Sequence, residues 1–256
     1  MEDRYFIKIV DRALRVFEYV SSQAREVSIA EISDVLDINT NMAFRLLSTL
    51  NKSGYLVQDS NSSKYVVSLK VLQSSRAALS CLDIRTRALP YMELLWRECS
   101  RANVNLAVWY RNDVIVVDRI DSESVPRTYF APGKMIPAHA TALGKILLCE
   151  IEPTELSRII EEKGLKRYTE NTIVTEGQLR DELKKVARDG IAWDIEEHIP
   201  NDNCVAAPVR DQSKSIIAAI SLSAFRHIID LEELTEAANH LRVTAKRISF
   251  AMGFDN

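Results

Sequence analysis

Structure-breaking residues are scarce in this chain. Glycine and proline occur seven times each in 256 residues, with no low-complexity tract or evident repeat. That excludes a collagen-like or linker-dominated protein. No apolar run approaches the roughly 18 residues of a membrane-spanning helix, and the charged opening MEDRYF has no secretory character. The four cysteines, Cys81, Cys99, Cys149 and Cys204, form no CxxC pair. They read as reduced, mostly buried thiols of a cytoplasmic protein, not as a disulfide framework or a zinc knuckle. Charge of one sign is also lacking: 33 Lys and Arg face 36 Asp and Glu, a net −3. The whole molecule is therefore not a nonspecific polyanion binder. What is present is a 46% apolar composition, enough for a packed core throughout, and a length that allows two domains.

A local absence is more telling. Ile38 to Gln58 contains no Asp or Glu. It lies inside Ser28 to Tyr65, which reads as helix, tight turn, helix and two-stranded hairpin, a winged helix-turn-helix. Ser28 is a suitable N-cap, with Glu31 as its capping-box partner. Ile29, Ile32, Val35 and Leu36 share one face of the first helix. Asp37-Ile38-Asn39 makes the turn. The second helix, about Thr40 to Ser53, turns Met42, Ala43, Leu46, Leu47 and Leu50 inward, and Gly54 stands at its C-cap. Tyr55 to Gln58 and Lys64 to Val67 are strands around the polar tip Asp59 to Ser63. An amphipathic helix over Asp11 to Ser22, with Ala13, Leu14, Val16, Phe17 and Val20 apolar, completes a three-helix core.

The outward face of the second helix has the residue types that read DNA. Its first turns can reach base edges in the major groove, and Thr40, Asn41, Phe44, Arg45 and Ser48 are the reachable set. Ser48, Lys52, Ser62 and Lys64 are phosphate candidates, which position without reading sequence. Two plainer readings stay open: a helical pair in an ordinary core, and Phe44 as a rim residue of that core. Residues 1–75 hold nine basic and nine acidic side chains, so one copy should bind weakly and dimerisation should be needed.

Lys70 to Leu82 reads as a linker helix, and near Asp83 the pattern becomes mixed α/β. Helices are expected over Ile84 to Arg101 (interrupted near Pro90), Ala140 to Cys149, Pro153 to Lys163, Glu176 to Asp189 and Leu231 to Met252. Strands are expected over Asn105 to Tyr110, Val114 to Val117, Ile191 to Asp194, Cys204 to Val209 and Ile216 to Ala224. This is an α+β sensor-like domain. Three places in it carry unexplained polarity. Ser221 and Ser223 share one strand face. Trp193 to His198 is followed by Cys204 on a strand. Pro137 to Lys145 turns into a helix, whose free N–H groups suit a carboxylate. Together they suit a small polar acid. Each also has a plain alternative: solvent-facing serines, a solvated acid run, histidines satisfied by backbone.

These segments resemble the IclR family of bacterial transcriptional regulators over about Val10 to Phe254. The resemblance rests on Arg45 to Leu50, Gly54-Tyr55-Leu56, Tyr65, Leu69-Lys70, His139 to Lys145, Thr169, Thr172-Ile173, Gly190, Asp194 to Glu197, Cys204 to Val209 and Ala218 to Ser223. It implies a winged helix-turn-helix (1–68), a linker helix (69–82) and a GAF-like effector domain (83–256). It implies a dimer or tetramer on a palindromic double-stranded operator near catabolic genes, answering to a small carboxylate: an oxo acid, sugar acid or aromatic acid. By position, Ala142 and Leu143 would offer backbone N–H groups to the carboxylate. Asp194, Cys204, Ser221 and Ser223 would meet its remaining oxygens. No cofactor, metal or catalytic role is implied. The chain departs in three places. Thr40-Asn41-Met42 stands where Lys-Ser-Thr is common, Ser68 where a Gly is usual, and Ile199 to Asn203 lacks a Gly and carries an extra acid. The reading is a repressor of a carbon-catabolic operon. An activator, a metal or hydrolase site from His139, Asp194, Glu197 and Cys204, and an adaptor without DNA binding are the alternatives.

Overall fold

The computed structural model describes residues 6–80, 83–122 and 130–255, with backbone alone for 76–80. Cys81 and Leu82, the end of the expected linker, lie outside the described residues. The chain divides into two compact units, residues 1–78 and 79–256.

The first unit is three helices and a hairpin: α1 (Lys8–Gln23), α2 (Ile29–Val35), α3 (Thr40–Lys52), β1 (Leu56–Gln58) and β2 (Tyr65–Val67), followed by α4 (Val71–Ser80). Val16 and Val20 of α1, Ile32 of α2, and Ala43, Leu46 and Leu47 of α3 form its core with Val27, Leu56 and Tyr65. Val27 bridges Tyr65 through two backbone bonds of 2.8 and 2.9 Å, an isolated antiparallel bridge beside the two-stranded wing. Leu14 and Val35, read as core-facing, are instead about half exposed, at 55% and 50%. Ser28 caps α2 as expected, accepting from Glu31 N at 3.2 Å. The Glu31 carboxylate, however, is turned chiefly onto Arg25 (2.6 Å) and Tyr19 (2.8 Å), and these hold it down to about 2. A guanidinium in reach is a stronger partner than the cap amide.

The second unit is built on a six-stranded antiparallel sheet in the order β5-β4-β3-β8-β7-β6. The strands are β3 (Asn103–Tyr110), β4 (Asp113–Ile120), β5 (Met135–Ile136), β6 (Ala192–Ile195), β7 (Asp202–Arg210) and β8 (Ile216–Phe225). Helices α5 (Asp83–Glu98) and α9 (Leu231–Ala251) cover one face, burying Val104, Leu106, Ile220 and Leu222. α6 (Ala142–Leu148) covers the other, over Ala107, Cys204, Ala206 and Ala219. α7 (Pro153–Lys163) and α8 (Glu176–Asp189) pack beside α6 through Leu148, Leu156, Leu179 and Leu183. Because both faces are covered, these strands read as nearly continuous apolar runs. α5 runs through Pro90 without the expected interruption. The proline lacks one N–H, but buried Ala88, Met92 and Leu95 hold the turns on either side to the sheet. Among the described residues no helix is long and apolar enough to cross a membrane.

Candidate nucleic-acid interface and effector site

α3 starts on Asn39, whose Oδ1 accepts from Met42 N at 2.9 Å; such a cap is worth about 1 kcal/mol. The helix buries one side, so Thr40, Asn41, Phe44, Arg45 and Lys52 are exposed and Ser48 half-buried. Phe44 is 50% exposed and so is not part of the core rim. Among the described residues no protein group bonds the side chains of Asn41, Arg45, Lys52 or Lys64. The end of α3 is held by Lys70, which donates to Ser53 O at 2.7 Å and lies over the Tyr55 ring. Gly54 takes φ +80°, and a Cβ there would meet the Lys70 stem at 3.2 Å. In the wing, Asp59 Oδ1 accepts from Asn61 N and Ser62 N (2.9 and 2.7 Å), which lowers its carboxyl and closes the tip. The Ser62 hydroxyl donates to Glu26 at 2.9 Å, so an acid accompanies this phosphate candidate.

The effector candidates meet on the α6 face of the sheet. Strand pairing sets Asp194 opposite Cys204, Cys204 opposite Ser223, and Ser223 opposite Asn103. One row thus crosses β6, β7, β8 and β3, with neighbours about 5 Å apart. A second row places Ser221 opposite Asn105, and Asn105 opposite Arg119 of β4. All but Arg119, whose side chain alone is buried, are buried residues, with Ser221 at 0% and Asp194 at 2% exposure. Burial pushes the Asp194 carboxyl up to about 8, against the bond it accepts from Glu197 N (2.8 Å). Burial also raises the Cys204 thiol, so it is neutral. Asp202 on the same strand face is raised by burial to about 7, opposed by Arg119.

α6 lies over these rows, packed on β7 and β8. It begins later than expected. A 3₁₀ turn, Ala138–Ala140, comes first, and Thr141 is the N-cap, accepting from Gly144 N at 3.2 Å. Ala142 and Leu143 are its first two residues, and the Thr141 hydroxyl satisfies neither of their N–H groups. Gly144 is dictated by contact: a Cβ would sit 2.2 Å from Ala138 O. Lys145, 1% exposed, donates to Glu197 Oε1 (2.5 Å), Trp193 O (2.8 Å) and Glu182 (3.4 Å), tying α6 to the segment after Asp194. Thr169 and Thr172 hold that segment by donating to Glu196 O and Glu197 O, each at 2.6 Å. His139 bonds Lys166 O at 2.9 Å, and burial keeps the ring neutral. The His139 ring and the Glu197 carboxylate are therefore engaged by the scaffold, through Lys166 O and Lys145 Nζ. Among the described residues no three His, Cys, Asp or Glu are grouped to hold a metal. A cleft of about 300 Å³ beside the 3₁₀ turn, lined by Ile136, His139, Ile159, Lys163 and Tyr168, contains none of the expected effector residues.

Residues 76–250 match the family model described as "Bacterial transcriptional regulator IclR C-terminal", and residues 9–60 match "IclR helix-turn-helix domain". The chain belongs to the IclR family. Its relatives include the HTH-type transcriptional repressor AllR of Salmonella typhi, 30% identical over 95% of this chain and 89% of that protein. The HTH-type transcriptional regulator XynR of Escherichia coli K12 is 28% identical over 97% of this chain and 98% of that protein. The crystal structure of an IclR regulator from Alicyclobacillus acidocaldarius superposes with a TM-score of 0.82 at 24% identity, covering 97% of this chain and 100% of that one. These relatives are transcription regulators, not enzymes. The chain is an IclR-type regulator with a DNA-binding helix-turn-helix and an α+β effector-binding domain.

Within this IclR fold, sequence reasoning missed Asn103, Asn105, Arg119 and Asp202. Two signals were available. Asn103 and Asn105 repeat the i, i+2 polarity noticed in Ser221 and Ser223, and Asp202 is the extra acid before Cys204. The strand expected from Asn105 starts two residues earlier, at Asn103, which conceals the pair.

Proposed function

We propose that this IclR-type regulator is a cytoplasmic repressor of a carbon-catabolic operon. It binds a palindromic double-stranded operator as a homodimer or homotetramer and answers to a small carboxylate. The single observation behind the DNA reading is the outward face of α3: Thr40, Asn41, Phe44, Arg45 and Ser48, backed by Lys52 and by Ser62 and Lys64 of the wing, beside a core that needs none of them. Equal numbers of acids and bases in residues 1–75 favour a multimer, which doubles the phosphate contacts. Exposed Ile7 just before α1, Val10 and Leu14 on α1 and Leu72 on α4 favour one too. The name of AllR supports repression.

For the effector, Ala142 and Leu143 amides take the carboxylate, and Asp194, Cys204, Ser221 and Ser223 take the remaining oxygens. The support is the pair of cross-strand rows that bring these four side chains, from three strands, to the sheet face under α6. A ligand shifts operator affinity only through unequal affinity for two arrangements, and the covalent route between the winged helix-turn-helix (1–68) and the effector domain (83–256) is the linker (69–82). The test is an effector screen on the protein–operator complex with wild type and the Ser221→Ala/Ser223→Ala variant. An acid that dissociates the wild-type complex should leave the variant's complex intact. An equal response in both places the effector elsewhere.

A further inference from the structure

One buried amide beneath α6 has its orientation fixed by its neighbours. Arg119 Nη1 donates to Asn105 Oδ1 at 3.1 Å. A guanidinium has donors only, so the Asn105 atom that faces it is the oxygen and the NH₂ is turned toward β8. There Nδ2 lies 3.2 Å from Ser221 Oγ and 3.2 Å from Ser223 Oγ. An amide nitrogen cannot accept, so both hydroxyls accept from it and neither can return its proton to Asn105. Arg119 is braced in turn by Asp121, 2.5 Å from Nε. Asn105, Ser221 and Ser223 are at most 1% exposed, and the Arg119 side chain is 4% exposed. Bulk water therefore does not randomise the chain of bonds.

We propose that Asn105, oriented by Arg119, is a positioning residue that sets the polarity of the serine pair. Ser221 and Ser223 are thereby donors toward the effector, and the effector oxygen that meets them is a carbonyl oxygen rather than a hydroxyl. This rests on the reading of the serine pair as the floor of the effector site. A hydroxyl there has its own proton to place, and the neighbours offer poor acceptors. Cys204 is a neutral thiol, a weak acceptor, and Asp194 Oδ1 already accepts from Glu197 N at 2.8 Å. A buried polar group left without a partner costs enough to change affinity about tenfold.

The isosteric Asn105→Asp substitution tests the polarity itself. A carboxylate keeps the bond to Arg119 but accepts from both serines, turning their protons away from the effector. Calorimetric titrations of the full-length protein would use matched acids: 2-oxobutanoate and 2-hydroxybutanoate, 2-oxoglutarate and 2-hydroxyglutarate, phenylglyoxylate and mandelate. The wild type is expected to bind the oxo member of a pair about tenfold more tightly, and Asn105→Asp to reverse that order. Equal binding of both members by the wild type, or a hydroxy preference, overturns the proposal. So does a variant that weakens both members alike, since that is what loss of packing alone would give. Absence of binding by every pair also overturns it. Operator binding in the same preparation would then still stand for the DNA reading, so the two failures are distinguishable.

Discussion

The two candidate surfaces of this protein are opposite in kind. On α3 the candidate residues are solvent-exposed, locally spaced and largely untied to other protein groups. On the sheet they are buried, drawn from strands distant in sequence, and bonded to other protein groups: Ser221 and Ser223 to Asn105, and Asp194 to Glu197 N. The contrast follows from what each surface must meet. A DNA-reading helix supplies its side chains to an outside partner, so they must not serve the core. A small-molecule site must satisfy its polar groups inside the protein, because each buried group without a partner destabilises the fold. Changes on α3 should therefore alter binding without altering stability, whereas changes beneath α6 should often alter both.

The largest expected effect lies beneath α6. Gly144→Ala drives a methyl to 2.2 Å from Ala138 O, a backbone atom that cannot rotate away. A loss of about 3 kcal/mol is expected, read as urea-unfolding midpoint. Retention of wild-type stability would mean that the 3₁₀ turn and α6 are not so closely packed. Lys145→Met leaves Glu197 buried without its cation and should cost about 3 kcal/mol. The double variant Lys145→Met/Glu197→Gln should recover part of that loss, and no recovery would contradict the pairing.

On α3 the expected changes are in binding. Arg45→Ala should weaken operator affinity by about 1–3 kcal/mol with the unfolding midpoint unchanged. Phe44→Ala should lower affinity by less, about 1 kcal/mol, through the lost contact with a thymine methyl. A drop in stability for Phe44→Ala would instead make it a core residue. A separate expected effect is on pH dependence. Asp194 titrates near 3.8 when unfolded and near 8 when folded, so the folded state binds the extra proton between those values. Stability should fall as pH rises from 6 to 8.5, and Asp194→Asn should flatten that fall. A wild-type melting temperature that rises over the same range would contradict the burial of this group.

The sequence was most informative where function is local. Helical spacing placed Ala43, Leu46 and Leu47 inward and Asn41, Phe44 and Arg45 outward, as the structure has them. It also marked Ser221 and Ser223 as one strand face. What it could not convey was register. That Asp194 faces Cys204, Cys204 faces Ser223 and Ser221 faces Asn105 depends on which strands pair, and no local pattern encodes this. The extent of a strand was similarly hidden, so Asn103 was left out beside Asn105. Other misreadings came from tertiary competition: Glu31 chose Arg25 over its cap, and the packing of α5 carried the helix through Pro90. The two-residue strand β5 is too short to leave a periodic signal.

The separation of the two surfaces is best tested by fluorescence anisotropy on DNA from immediately upstream of the protein's own gene, at two salt concentrations. Wild type, Arg45→Ala and Ser221→Ala/Ser223→Ala would be compared. Tight, salt-dependent binding by the wild type and the serine variant, with at least about a fivefold loss in Arg45→Ala, is the predicted result. Binding that survives Arg45→Ala but is lost with the serines would contradict the account.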